Sequence, residues 1–315
     1  MLKKIGVLGA GTMGHCIAES FAMHGYQVNV FEPIEEVRTT AIALIAEELS
    51  LFVQEEMLKE EDVASVLGRI NFFDDLSEAM ADRDYVIEAV PEKMELKQSL
   101  FKQLDDVCPA HTVIASNTSS LPLSEMTSGI SEERKTRVMV CHWYNPGHIM
   151  PIAELSFFGN MSEELFNEVR DLYLSIGKQP VKVLKDIPGL IANRIQQAVA
   201  REVFSLIEME AAAPEDIDRA LMFGPAFRYA TSGQLEIADF GGLDIWAIVG
   251  DNLLKEMDNR REANPLIKAK MKEGKLGVKT GEGFFSYPED KIAGIKEKYV
   301  RKLITQLKVS KNYTG

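Results

Sequence analysis

The first half of the chain alternates short apolar runs with longer amphipathic segments. Helical periodicity is clearest at 12–25, where Met13, Ile17 and Phe21 recur every four residues and so share one face. Further polar–apolar segments are typical of helices. The runs predicted as buried strands are 4–10, 27–32, 85–90, 112–116, 137–143 and 180–183, and the further helices are about 35–57 and 60–67. Strands separated by helices predict an α/β fold with a doubly wound parallel sheet of the Rossmann type.

The pattern changes close to Pro188-Gly189, the predicted domain boundary. Beyond it the sequence predicts only helices, over about 189–212, 214–223, 233–257 and 289–308. A chain of 315 residues has room for two domains of ordinary size. We therefore expect a Rossmann-type domain over 1–186 and an all-helical domain over 187–315.

Composition narrows the range of functions. The chain has 48 acidic and 35 basic residues, a net charge of −13, which argues against nucleic acid and anionic membranes as partners. Cys16, Cys108 and Cys141 are sparse and lack C-x-x-C spacing, so reduced thiols are expected and no metal site is predicted. No apolar run of membrane-spanning length or signal peptide is evident, which favours a cytoplasmic protein.

Gly9, Gly11 and Gly14 form G-x-G-x-x-G between a predicted strand and a predicted helix. Gly9 would allow a tight turn, Gly11 a close approach of a pyrophosphate, and Gly14 close packing of helix against strand. The backbone N–H groups of Thr12 and Met13 would face phosphates at the positive end of the helix dipole. The motif in this context predicts a dinucleotide site.

Glu32 ends the second predicted strand, where an acidic side chain can hold the ribose hydroxyls. Glu35 and Glu36 follow closely, and Arg38 is the nearest cation. A 2′-phosphate would meet three carboxylates, so the sequence favours NAD over NADP. FAD shares the glycine pattern, but its folds usually insert other elements.

The segment 141–155, CHWYNPGHIMPIAEL, places His142 and Glu154 within a short stretch of chain. A histidine can accept a proton near neutral pH, and a carboxylate can orient its ring. A lone histidine at a strand end is more often structural. The spacing alone does not distinguish a working base from a chance pair.

Six ordered motifs bear on that choice: GAGTMG, VIEAVPEKMELK, SNTSSLP, HWYNPGHIMPIAEL, KDIPGLIANRI and GKLGVKTGEGFFSY. Together they resemble the L-3-hydroxyacyl-CoA dehydrogenase family over nearly the whole chain. The resemblance implies NAD-dependent oxidation of a secondary hydroxyl to a ketone. It also implies a helical C-terminal domain that binds substrate and forms a homodimer, and a place in fatty acid metabolism. The default substrate would be an (S)-3-hydroxyacyl-CoA such as 3-hydroxybutyryl-CoA.

In this resemblance, His142 matches the catalytic histidine and Glu154 its carboxylate partner. Ser119 matches a serine near the reacting hydroxyl and the nicotinamide, and Asn193 an asparagine that faces the same hydroxyl. The cofactor-contacting positions matched elsewhere are Glu92, Lys97 and Lys279.

Three departures leave the substrate open between acyl-CoA and a small non-CoA hydroxy acid or alcohol of the gulonate, carnitine or pyridine-carboxylate type. The segment 46–62 is acidic where acyl-CoA members usually carry basic residues. Trp143 and His148 resemble the non-CoA branches, and His148 would either line the substrate pocket or lie on the surface. Arg228, followed by Tyr229, would either pair a substrate carboxylate or belong to the dimer interface.

Two other classes compete with these dehydrogenases. One is a catalytically inactive NAD-binding protein similar to a lens crystallin, against which intact His142, Glu154 and Ser119 argue. The other is a two-domain Rossmann enzyme of the 3-hydroxyisobutyrate or 6-phosphogluconate type. Those enzymes rely on a lysine in a C-terminal helix and lack the segment around His142.

Overall fold

The computed structural model describes residues 2–312, which form two compact units. The first unit ends at Ile191 and the second begins at Ala192. The sequence analysis placed the domain boundary at 186/187. The difference is a short segment that leads into the first helix of the second unit.

Within residues 2–191 the strands form one eight-stranded sheet in the order β3-β2-β1-β4-β5-β6-β7-β8. Most neighbouring strands are parallel, which confirms the predicted Rossmann-type fold. The strands are β1 (Lys4–Leu8), β2 (Gln27–Phe31), β3 (Ile70–Phe73), β4 (Tyr85–Glu88), β5 (Val113–Ser116), β6 (Val138–Trp143), β7 (Ile152–Ser156) and β8 (Gln179–Val183).

Two strands were not predicted, β3 and β7. Each has only four or five residues and is interrupted by a polar residue, so its periodicity is weak. β7 runs antiparallel to β6, so the sheet departs at this pair from the parallel arrangement that the sequence suggested. This departure brings distant residues together: His142 on β6 lies directly opposite Glu154 on β7.

The helices of the first unit cover both faces of the sheet. They are α1 (Gly14–Met23), α2 (Glu35–Gln54), α3 (Glu60–Leu67), α4 (Leu76–Met80), α5 (Met94–Val107), α6 (Leu123–Met126), α7 (Glu132–Lys135) and α8 (Glu163–Ser175). Side chains of β6 alternate between the faces. Cys141 and Trp143 pack in the core with α1, α2 and α8, whereas Val138 and Val140 pack in the core with α5 and α6.

The second unit is helical, as predicted, and the helix 214–223 has the predicted bounds. The predicted helix 233–257 is divided at Gly242, whose φ of +88° favours glycine. The helices are α9 (Ala192–Glu208), α10 (Pro214–Phe223), α11 (Pro225–Tyr229), α12 (Gln234–Gly241), α13 (Leu243–Leu253), α14 (Pro265–Lys272) and α15 (Ile292–Ser310), with a 3₁₀ turn at Glu289–Lys291. Across residues 2–312, no helix is long and apolar enough to cross a membrane.

Candidate active site

The glycine loop between β1 and α1 has the geometry that a dinucleotide requires. Gly9 has a φ of +86°, which favours glycine. A Cβ atom on Gly14 would fall 1.8 Å from the carbonyl oxygen of Gly9, so the helix and the loop can pack this closely only with glycine. A Cβ on Gly11 would meet nothing within 4 Å among the described residues, which leaves its backbone open to a ligand. These features fit a pyrophosphate at the start of α1.

Glu32 follows β2 and is held by the same loop. Its carboxylate accepts hydrogen bonds from the backbone N–H groups of Ala10 (3.0 Å) and Ile34 (3.2 Å). Arg38 donates to the backbone carbonyl of Glu32 (2.6 Å) and lies 3.9 Å from a carboxylate oxygen of Asp74. Because Arg38 is bound to protein oxygens and Glu32 carries the negative charge, the residues fit NAD better than a cofactor with a 2′-phosphate.

His142 and Glu154 form a buried pair across β6 and β7. Nδ1 of His142 lies 2.9 Å from Oε2 of Glu154, and both side chains are almost inaccessible to solvent. The other oxygen, Oε1, accepts a hydrogen bond from the backbone N–H of Ile191 at 2.8 Å. The pair follows from sheet geometry, because residues directly opposite on antiparallel strands place their side chains on the same face.

The pair is suited to proton transfer. A carboxylate can only accept, so we infer that Nδ1 of His142 carries the proton and that Nε2 has a lone pair. An imidazole held in this tautomer can accept a proton at Nε2, and Glu154 would stabilise the positive charge that results. Tyr144 packs edge-on against the ring, with centroids 5.4 Å apart. Burial and the Glu154 carboxylate raise the pKa of Tyr144, which keeps it neutral.

The loop after β5, which carries Ser119, is organised by Glu92. Oε1 of Glu92 accepts hydrogen bonds from the Thr118 hydroxyl (2.5 Å) and from the backbone N–H groups of Ser119 (3.1 Å) and Ser120 (3.3 Å). Burial acts to raise the pKa of Glu92, but Thr118 and the charge of Lys97 hold it below its usual range. Glu92 therefore remains charged and fixes the backbone on which Ser119 lies.

Lys97 lies beneath this loop. Its ammonium group lies 2.6 Å from Glu88 Oε1 and 3.2 Å from Glu92 Oε2, and the side chain is buried. Sequence comparison matched Glu92 and Lys97 to cofactor-contacting positions. In the structure both support the Ser119 loop, and contact with a cofactor stays a prediction.

The sequence analysis missed three residues that position this region. Asn117 accepts a hydrogen bond from the backbone N–H of Trp143 (2.9 Å) and so ties the Ser119 loop to the end of β6. The Tyr173 hydroxyl accepts from the Trp143 indole (3.0 Å). Glu88 accepts from Lys97 and Ser116. Asn117 and Glu88 had a signal, because they lie inside SNTSS and VIEAVPEKMELK, whereas Tyr173 had none.

His148 lies on the loop that joins β6 to β7, with its ring buried. The ring packs edge-on against Phe52 (5.7 Å between centroids), and Nδ1 lies 3.1 Å from the Cys16 sulfur. Burial acts to raise the pKa of Cys16, but His148 and His15 lower it to about 7. The burial of the ring shows that the surface alternative for His148 is wrong, and a contact between His148 and substrate stays a prediction.

Three predicted site residues lie in the second unit. Asn193 is in the first turn of α9 and is half-buried, Arg228 is an exposed residue of α11, and Lys279 is exposed in a turn after α14. Their roles toward substrate and cofactor stay predictions.

Comparison with known families covers almost all of the chain. Residues 4–187 match the NAD binding domain of 3-hydroxyacyl-CoA dehydrogenase, and residues 189–287 match the C-terminal domain of that enzyme. The chain belongs to the 3-hydroxyacyl-CoA dehydrogenase family. Members of this family are NAD-dependent oxidoreductases, so the chain is an enzyme of that type with NAD as its cofactor.

Individual members of the 3-hydroxyacyl-CoA dehydrogenase family resemble the chain over most of their length. A probable 3-hydroxybutyryl-CoA dehydrogenase of Bacillus subtilis is 35% identical, covering 91% of this chain and 98% of its own. The 5-formyl-3-hydroxy-2-methylpyridine 4-carboxylate 5-dehydrogenase of Mesorhizobium japonicum is 33% identical, covering 96% and 97%. A crystal structure of a dehydrogenase of that pyridine carboxylate, described as an NAD⁺-dependent dismutase, is 30% identical with a TM-score of 0.90 and covers 99% of both chains. Relatives with and without CoA in their names are thus about equally similar in sequence.

Proposed function

We propose that the protein oxidises the hydroxyl of a small carboxylated substrate that carries no CoA, with His142 as the general base and Glu154 as its orienting partner. The observation that carries the base assignment is the buried Nδ1–Oε2 contact of 2.9 Å between His142 and Glu154. Bound NAD supplies the hydride acceptor.

The proposed reaction assigns one task to each residue. Nε2 of His142 takes the hydroxyl proton as the substrate is oxidised, and Glu154 stabilises the imidazolium. Ser119 and Asn193 hydrogen-bond the substrate oxygen as its charge changes. Glu92 holds the Ser119 loop in place through the Ser119 N–H.

The exposed charge around the end of α2 supports a substrate without CoA. Glu56 at that end and Glu60, Glu61 and Asp62 at the start of α3 are all exposed acidic residues. Lys59 lies among them but is 3.5 Å from a Glu61 oxygen. Each close contact between these carboxylates and a CoA phosphate would cost about 1 kcal/mol in water. A small carboxylate anchored elsewhere, as proposed for Arg228, avoids this surface.

The second candidate is the oxidation of an (S)-3-hydroxyacyl-CoA, with 3-hydroxybutyryl-CoA as the simplest case. The 35% identity to a probable 3-hydroxybutyryl-CoA dehydrogenase supports it. The same His142–Glu154 chemistry serves both substrates, so the two candidates differ only in what binds.

A substrate panel separates the two candidates. NADH formation is followed with 3-hydroxybutyryl-CoA, gulonate and carnitine, and with a formylated pyridine carboxylate, whose hydrated aldehyde presents the hydroxyl. We expect saturable turnover with a small substrate at a low KM, and turnover of the acyl-CoA only at a much higher KM. Saturable turnover with 3-hydroxybutyryl-CoA and none with the small compounds would reject the substrate proposal.

A charge-reversed variant sharpens this result. Replacing Glu55 and Glu56 by lysine should lower the KM for the acyl-CoA by up to about 30-fold per close contact at low salt, because a repulsion of about 1 kcal/mol becomes an attraction of the same size. The KM for the small substrate should not change. Equal KM values for the acyl-CoA before and after the exchange would show that this surface does not select against CoA.

We also propose that the protein is a homodimer through its second unit and is cytoplasmic. Large apolar side chains are exposed on α11 to α13, among them Phe227, Leu235, Phe240 and Leu243. A second copy of the same helices would cover them, as expected for an obligate interface. Three free, buried cysteines are in keeping with a reducing compartment. Light scattering should give a mass of two chains, and a monomer at micromolar concentration would contradict the dimer.

A further inference from the structure

A second group of ionisable side chains is buried on the face of the sheet opposite His142. His15, Cys16 and Glu19 come from α1, Glu48 comes from α2, and His148 comes from the loop between β6 and β7. We call these five residues the α1–α2 cluster. None of them takes part in the proposed reaction.

Four atoms of the α1–α2 cluster form a closed ring. Nε2 of His15 lies 3.3 Å from Sγ of Cys16 and 3.3 Å from Oε1 of Glu48. Nδ1 of His148 lies 3.1 Å from the same sulfur and 3.6 Å from the same Glu48 oxygen. In a tetrahedral zinc site, with bonds of about 2.0–2.3 Å, neighbouring ligand atoms are about 3.3–3.7 Å apart. Four of the six ligand–ligand distances of such a site are thus close to these values without an ion.

Glu19 provides an independent sign that a cation belongs here. Its side chain is fully buried, and neither of its oxygens has a hydrogen-bond partner among the described residues. Oε2 of Glu48 is also buried and has no hydrogen-bond partner among the described residues. Oε2 of Glu19 lies 3.9 Å from Nδ1 of His148. Buried carboxylate oxygens without donors are costly unless a positive charge or a shared proton compensates them.

The surroundings also fit a metal. Nδ1 of His15 donates to the backbone carbonyl of Gly11 at 2.6 Å, so Nε2, which faces the ring, is the atom that would bind a metal once its proton has left. Lys178 donates to the carbonyls of Gly147 (2.5 Å) and Met150 (2.8 Å). A divalent ion together with Lys178 would balance the negative charges of a Cys16 thiolate, Glu19 and Glu48.

We propose that the α1–α2 cluster binds one divalent transition-metal ion of the zinc class. His15 Nε2, Cys16 Sγ, Glu48 Oε1 and His148 Nδ1 are its ligands, and Glu19 lies beside it. Mixed nitrogen, sulfur and oxygen donors suit Zn²⁺ and not Mg²⁺ or Ca²⁺, which take oxygen ligands. The ion would link the glycine loop, through His15 and Gly11, to the loop that follows His142. Glu48 is the most exposed of the ligands and marks the route of entry.

The alternative is a metal-free network. Burial and the neighbouring Glu48 raise the pKa of Glu19 well above its usual range, so the two carboxyl groups would share a proton. The two states differ in one observable property, because only the metal site places a thiolate on a metal ion.

The test uses cobalt as a spectroscopic probe. Purified full-length protein is treated with a chelator, titrated with Co²⁺ alone, and then with Zn²⁺. We expect one Co²⁺ per chain, absorption bands of four-coordinate cobalt, a thiolate-to-cobalt charge-transfer band, and loss of all bands when Zn²⁺ is added. Zinc content measured by mass spectrometry should also reach one per chain.

Substitutions identify which residues bind the ion. Cys16→Ser should abolish the charge-transfer band, and His148→Gln should weaken Co²⁺ binding by at least tenfold. Cys108→Ala removes a free, buried cysteine outside the cluster and should keep both the band and the affinity. Circular dichroism checks that each variant folds.

Three results would overturn the proposal. They are binding of well under one ion per chain, stoichiometric binding without the thiolate band, and a thiolate band that persists in Cys16→Ser. The first two use the unaltered protein, so the proposal can fail even if every variant misfolds.

Discussion

Two buried histidine–carboxylate groups lie on opposite faces of the same sheet, and they differ in how their carboxylates are satisfied. Glu154 uses one oxygen for His142 and the other for the backbone N–H of Ile191. In the α1–α2 cluster, Glu19 has no hydrogen-bond partner among the described residues. A fully bonded carboxylate fixes one histidine tautomer, whereas an unsatisfied one calls for a cation. Histidine and glutamate can thus serve proton transfer in one place and metal binding in another.

A third pair provides an exposed reference. Nε2 of His111 lies 3.3 Å from Oδ1 of Asp84, and the histidine side chain is largely in solvent. Exposed ion pairs contribute little to stability because water competes for both partners. Because this pair has the same residue types but is exposed, it serves as a control for the effect of burial on a histidine–carboxylate pair.

The largest expected effect is on turnover when the proposed base is removed. His142→Ala should lower kcat about 10²–10⁴-fold on whichever substrate the panel identifies, because a positioned base contributes that much. NAD binding, measured by calorimetry, should stay close to that of the unaltered protein. The matched control is His111→Gln, which should leave kcat unchanged. Near-normal turnover in His142→Ala would mean that His142 contributes no more to turnover than His111, and would contradict its assignment as the general base.

The next effect concerns the substrate anchor. Arg228→Met should raise the KM for a carboxylated substrate roughly 10–100-fold, since hydrogen bonds to a charged group contribute about 1.5–3 kcal/mol. Arg219→Met, which removes another exposed arginine of the second unit, should not change the KM. If Arg228→Met instead gives monomers with an unchanged KM, Arg228 belongs to the dimer interface.

A smaller effect tests the unsatisfied carboxylate of the α1–α2 cluster. In chelator-treated protein at pH 8, Glu19→Gln should raise stability by about 1 kcal/mol, because the amide donates to Glu48 without the proton uptake that the Glu19 carboxyl requires. For a domain of this size, that corresponds to a rise in Tm of about 2–4 °C. Addition of Zn²⁺ should raise the Tm of the same variant by less than it raises the Tm of the unaltered protein. A lower Tm in chelator would mean that Glu19 is already well bonded without metal.

The smallest effect concerns Asp84. Burial acts to raise its pKa, but the backbone N–H groups of Lys3 and Lys4, together with His111, hold the pKa of Asp84 below its usual range. A carboxyl whose pKa is lower in the folded state contributes stability above its unfolded pKa, about 3.9, and loses it as the pH falls. Asp84→Asn should therefore be slightly less stable at pH 7, and the difference should shrink progressively as the pH falls below about 3.9. A difference that is constant with pH would exclude this linkage.

Sequence reasoning succeeded where a pattern is local. The strand before Gly9 and the helix after Gly14 follow from neighbouring residues, as does Glu32 at the end of β2. Helix α3 was predicted with the observed bounds, 60–67. Such features depend on periodicity and turn chemistry within one segment.

Contacts between distant segments were not predictable in this way. Glu154 was matched to His142 by resemblance alone, since β7 was not recognised as a strand and its pairing with β6 was unknown. The α1–α2 cluster was invisible for a similar reason. Its ligands come from α1, α2 and a loop about 100 residues further on, so they have no metal-type spacing and the sequence analysis predicted no metal site.

The most direct test of the account is a double-mutant cycle on the proposed catalytic pair. Turnover is measured for His142→Ala, for Glu154→Gln and for the two changes combined, with circular dichroism and NAD binding as checks on folding. If Glu154 acts only through His142, the combined variant should be no slower than His142→Ala, because residues that act as a unit are not additive. Losses that multiply in the combined variant would contradict the assignment of Glu154 as the partner of His142.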